Sequence, residues 1–165
     1  MKRILFVLAA VTLALTVTAT PALAKAISHG ALTGHGLHIW IKPGSARQDA
    51  RLNTLRTGTQ ANGALYADLS GSFSAKRPKG KLGPRYRLDW YGPPGNTPVL
   101  HQYVYPYARR GPVVYTPRQP GAERHGWHRA PAYVKTTLIA LGLPPRAPHS
   151  SRWPAYGPRP LPVSW

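Results

Sequence analysis

Between Arg85 and Tyr107 the chain alternates apolar and polar residues with a period of two, broken once by Pro93-Pro94-Gly95-Asn96. That pattern admits little besides a β-hairpin. Tyr86, Leu88 and Trp90 fall on one side of the first strand, and Arg85, Arg87 and Asp89 on the other. Pro94 presets φ at the second turn position and Gly95 supplies a positive φ at the third, which predicts a type II turn. The return strand is expected from Val99 to Tyr107. It puts Val99, His101, Tyr103, Tyr105 and Tyr107 on one face and Leu100, Gln102 and Val104 on the other. Pro106 has no N–H to give to a ladder, so the strand ends there or forms an edge. Arg109-Arg110-Gly111 then reads as a turn, and Val113-Val114-Tyr115 as a short strand stopped by Pro117.

Elsewhere the periodicity is weaker. Leu37, Ile39 and Ile41 alternate with His38, Trp40 and Lys42, predicting a first strand that Pro43-Gly44 ends; residues 25–36 ahead of it read as a flexible segment. The stretch Ser45–Leu55 fits helix or strand, and Asn62-Gly63, a strong hairpin signal, tips the reading to strand. After it, Leu65, Ala67, Leu69, Gly71 and Phe73 alternate with polar residues, which predicts an amphipathic strand. Residues 119–129 read as a loop. Pro131 then opens a helix over 131–142 with Val134, Leu138, Ile139 and Leu141 as its apolar stripe, stopped by Gly142 and Pro144-Pro145.

There is no cysteine. An exported chain of this composition therefore has no disulfide framework and depends on an apolar core. Residues 37–143 suffice for one such domain. The expected fold is mainly β, an antiparallel sheet arranged as a small sandwich or half-open barrel with one C-terminal helix. A proline-rich, disordered tail over 144–165 follows, carrying Trp153, Tyr156 and Trp165.

Export itself is read from Met1–Ala24. Lys2 and Arg3 precede an apolar run from Ile4 to Val17, and Ala22-Leu23-Ala24 supplies a small-residue cleavage site. The run is too short for a membrane span. Cleavage after Ala26 instead would leave His29 third from a free amine, an arrangement that suits square-planar Cu(II) or Ni(II); no metal site is assigned on that basis. Removal of residues 1–24 takes away Lys2 and Arg3 and lowers the formal charge from +18 to +16. Such a chain is drawn to polyanions, while repelling itself.

The charge is concentrated in sequence. Lys76, Arg77, Lys79 and Lys81 fall within six residues, and Arg109 and Arg110 form a second pair. These six are the candidate ligand-binding cations, and Tyr103, Tyr105 and Tyr107 are candidate stacking residues if their face is open. An anionic envelope polymer, or another extracellular polyanion or glycan, is the expected partner. Nucleic acid is expected only as a non-specific ligand, and membrane contact only at the periphery.

Enzymatic chemistry finds little support. Without a thiol, cysteine hydrolases are excluded. Only Asp49, Asp68, Asp89 and Glu123 carry carboxylates, and a glycosidase normally needs two in one cleft; Asp68 and Asp89 would converge only if their strands paired. Nucleophile-elbow, P-loop and dinucleotide patterns are missing. Glu123, His125 and His128 resemble a ligand set, but Gly126 weakens any helix that would align them. No catalytic residue, metal or cofactor is assigned. The reading is an exported, non-enzymatic binding protein; the rival readings are a secreted hydrolase with an atypical site and a membrane-active basic protein.

Overall fold

The alternating segments assemble into one antiparallel sheet of six strands in a computed structural model that describes residues 27–93 and 95–148. The segment Met1–Ala24 lies outside the described residues, as do Pro94 and the aromatic residues Trp153, Tyr156 and Trp165. The elements in order are β1 His29–Gly34, β2 Leu37–Ile41, α1 Ala46–Gly58, α2 Ala61–Leu65, β3 Tyr86–Tyr91, β4 Pro98–Tyr105, β5 Val113–Thr116, β6 Gly126–Arg129 and α3 Ala132–Ala140. Across the sheet the strands run β2-β1-β3-β4-β5-β6. Among the described residues no helix is long and apolar enough to cross a membrane.

The mainly-β antiparallel fold with a C-terminal helix is present. A layer of helices, rather than a second sheet, covers the apolar face: Leu32, Ile39, Ile41, Leu88, Trp90, Leu100, Val104 and Val114 share a buried cluster with Leu52, Leu55, Ala64, Leu65, Val134 and Leu138. The alternation of the 85–105 hairpin predicts this face correctly, since Tyr86, Leu88, Trp90, Leu100, Gln102 and Val104 are all buried.

Five local expectations are corrected. Residues 25–36 are not a flexible leader throughout, because β1 lies between β2 and β3 and pairs with both. It was illegible because Gly30 and Gly34 break its alternation; Gly30 is needed where the Trp90 ring would lie 2.9 Å from a Cβ. Its turn to β2 uses His35 and Gly36 at φ 58° and 75°, the two left-handed positions that match strand twist.

The stretch Ser45–Leu55 is helix. Ser45 Oγ accepts the Gln48 N–H, and Ser45 Oγ donates to Gln48 Oε1, a variant of the capping box written as Ser-x-x-Gln. Asn62-Gly63 accordingly lies inside α2, not in a hairpin. The alternation of 65–73 builds no strand, and Leu69 is 41 % exposed. Within the predicted loop 119–129, Gly126–Arg129 pairs with β5 as the last strand.

Smaller shifts complete the comparison. The 93–96 turn closes one residue earlier, with Gly95 N–H donating to the Gly92 carbonyl. The return strand ends at Tyr105, before Pro106. Pro131 sits at the cap of α3 rather than inside it.

Candidate polyanion-binding face

The sheet's second face points away from the helices, and one row of side chains crosses all six strands on it. His38, Thr33, Arg87, Tyr103, Tyr115 and Trp127 are successive cross-strand partners. Side chains so placed are about 5 Å apart and interact. Tyr103 stacks with Tyr115 (ring centroids 6.4 Å, 11° between planes), and Tyr115 with Trp127 (4.5 Å, 29°). The Arg85 guanidinium lies 4.7 Å above the Tyr103 ring.

These rings form the wall of a second, smaller core. Leu82 seats among Tyr105, Ala108, Val113 and Trp127, with Tyr103 and Tyr115 packed at its rim. The connection 66–85 is longer than most loops in compact domains, a length that is usually functional when ordered. It is held at both ends of its basic stretch. Ser74 and Trp127 exchange two backbone hydrogen bonds of 2.8 Å, and the Arg109 N–H donates to the Lys81 carbonyl at 3.1 Å. The first anchor requires Gly126, whose φ is 132° and whose Cβ would sit 2.7 Å from the Ser74 carbonyl oxygen.

The two cationic groups read from sequence are therefore joined. Lys76, Arg77, Lys79 and Lys81 are exposed between the anchors, and Arg109 and Arg110 are exposed beside the second. Arg129 stands on the same sheet face and donates from Nη1 to the Arg110 carbonyl at 2.6 Å. Burial raises the Tyr105 phenol pKa, and positive charge from Arg85 and Arg77 works against that rise. Both guanidinium groups thus bear on this face.

The tyrosines separate in role. Tyr103 and Tyr105 share the outer face, Tyr105 only 8 % exposed under the loop. Tyr107 does not join them. Once Pro106 ends the ladder, its hydroxyl donates to the Pro144 carbonyl and its ring lies beside Tyr86 and under the Lys135 ammonium at 5.1 Å. Stacking on a row of three open tyrosines is not what this surface provides; the rings instead support the loop that carries the charge.

Asp89 also lies on the outer face. It accepts from Arg87 Nε at 2.8 Å and contacts His101 Nδ1, so its charge is neutralised locally. Asp68 sits exposed in the 66–85 connection, with no strand to align it with Asp89. Glu123, His125 and His128 do not gather: His128 is buried on the helix side against Phe73, and His125 neighbours the Arg118 guanidinium at 3.2 Å. Among the described residues no group of three or more metal-ligating side chains occurs. The Ser28 N–H, which a copper-binding N-terminus would employ, donates to the Tyr91 carbonyl.

Sequence reasoning missed Arg85 and Arg129. Arg85 precedes β3, whose alternation already set it opposite Tyr86; Arg129 ends β6, a segment read as loop, so its side follows only from its pairing with Val113. Comparison of the chain with protein-family models, with curated proteins and with solved structures finds no match.

Proposed function

We propose that the chain is an exported, non-enzymatic protein that binds an anionic polymer of the cell envelope or its surroundings. The grip is the basic surface built from Lys76, Arg77, Lys79, Lys81, Arg109 and Arg110, with Arg85 and Arg129 at its base. The observation that carries this reading is the Arg109–Lys81 backbone bond, because it converts two basic runs distant in sequence into one patch.

Anchoring matters energetically. A floating cationic loop loses conformational freedom when it binds, at about 1–2 kcal/mol per ordered residue. A loop already pinned by Leu82 and by backbone bonds at both ends has less to lose. Lysine serves here as a mobile point charge and arginine as a planar fork, a mixture suited to a chain whose anions are not rigidly spaced.

The test is co-sedimentation of the protein lacking residues 1–24 with isolated envelope, and in parallel its binding to inorganic polyphosphate. Retention should collapse between about 50 and 200 mM salt, as expected when several cations displace counterions. Retention indifferent to salt, or no retention at any salt, would remove this function.

A further inference from the structure

The far end of the molecule carries a feature that the basic patch does not use. Trp40, on the edge strand β2, is 46 % exposed. It borders an open cleft of about 270 Å³ lined by Trp40, Ile41, Lys42, Gln48, Arg51 and Leu141. Strand β2 contributes Trp40–Ile41 with Lys42 following, and the first turns of α1 contribute Gln48 and Arg51.

We propose that this cleft is a saccharide subsite for one acidic sugar unit, a pyranose bearing a carboxylate or a phosphate. The inference rests on the polyanion reading above and narrows it to an anionic glycan. Its volume lies just under the range for drug-sized ligands, room for a single small unit. Trp40 is the half-exposed aromatic residue of this lining, a side-chain type that packs against ring C–H groups. The His38, His29 and Tyr91 rings pack around it, with centroids 5.1, 6.0 and 6.0 Å away and tilts of 38°, 41° and 41°, and hold the indole in place. Gln48 has its amide oxygen held by Ser45 Oγ, which leaves its NH₂ group to donate to hydroxyls. Arg51 supplies a fork matched to carboxylate or phosphate. The Lys42 ammonium, which lies over one face of the Trp40 ring at 4.8 Å, adds a second charge and leaves only the other face for a sugar.

A nucleic acid is disfavoured by the same geometry. Strand binding by stacking uses a succession of open rings. Here Tyr105 and Trp127 are each only 8 % exposed, and Tyr103, Tyr115 and Trp127 cover one another.

The experiment compares four probes at equal ionic strength: polygalacturonate, phosphorylated dextran, poly-L-glutamate of matched charge, and oligo(dT). The protein should hold at least one of the two acidic glycans more tightly than poly-L-glutamate, and which one identifies the anion. Trp40→Ala should weaken that glycan about three- to tenfold, the range of an aromatic contact, while poly-L-glutamate is unaffected. Arg51→Gln should act in the same direction and provides a second variant if Trp40→Ala folds poorly. Equal affinity for the glycans and poly-L-glutamate, unaltered by both variants, overturns the subsite and leaves the polyanion reading standing. No binding of any probe at 50 mM salt overturns both. Tighter, Trp40-dependent binding of oligo(dT) overturns the sugar assignment in favour of nucleobases.

Discussion

Trp90 Nε1 donates to Gln102 Oε1 at 2.9 Å inside the helix-facing side of the sheet, and both residues are fully buried. The Gln102 amide nitrogen in turn donates to the Thr59 carbonyl at 2.9 Å and to Thr116 Oγ1 at 3.0 Å. One glutamine thereby ties β3, β4 and β5 to the end of α1. A buried polar network of this kind is stabilising only while every member is satisfied.

Gln102→Leu keeps the volume and removes every partner at once. The indole N–H and the Thr59 carbonyl would be left buried and unpaired, each costing about 1–3 kcal/mol. The variant should lose at least about 2 kcal/mol in urea unfolding. An unchanged midpoint would mean that water replaces the amide.

Gly58 marks where α1 and α3 cross. A Cβ there would meet Val134 Cγ2 at 2.4 Å and Tyr133 Cε2 at 2.7 Å. Gly58→Ala therefore forces the helices apart, and overpacking of this type costs about 1–3 kcal/mol. Thermal unfolding should report a lower midpoint. A gain, from reduced unfolded-state entropy alone, would show that the helices separate at no cost.

His128 supplies the pH dependence. It is 5 % exposed, and among the described residues neither ring nitrogen finds a hydrogen-bond partner. Burial pushes its pKa down from 6.5 to about 4, opposed in part by the Gly58 backbone, whose contact falls short of hydrogen-bond geometry. The unfolded chain binds the proton first on acidification. Stability is thus fully present above pH 6.5 and is lost as the pH falls towards about 4, by up to about 3 kcal/mol. His128→Leu should flatten that segment of the curve; a variant with the same acid loss would assign the effect elsewhere.

The residues that could and could not be read from sequence differ in the range of their interactions. Leu88, Trp90, Leu100 and Val104 announce their burial because a strand's period is local. The Ser45–Gln48 cap was also present in the sequence, but α1 buries only Leu52, Leu55 and Gly58, too sparse a stripe to outweigh the Asn62-Gly63 signal. The regular spacing of Leu65 to Phe73 misled, since among the described residues no strand pairs along it to give it a buried face. At the candidate site the cations were legible as charge. Their union was not, because it depends on Leu82 reaching Trp127 and on Lys81 meeting Arg109, contacts that no local pattern encodes. Trp40 was legible as an outward residue from its place between Ile39 and Ile41.

The most direct test of the account is the salt slope of polyphosphate binding before and after Lys76, Arg77, Lys79 and Lys81 are changed together to alanine. The four side chains are exposed, while the backbone bonds and Leu82 that hold the loop are untouched, so the fold should persist. Each cation that meets a phosphate contributes about 0.7 to the slope of log affinity against log salt for a flexible strand. The account predicts a slope shallower by about 3 and a large loss of affinity at 50 mM salt. A variant that keeps both the affinity and the slope of the parent would contradict it.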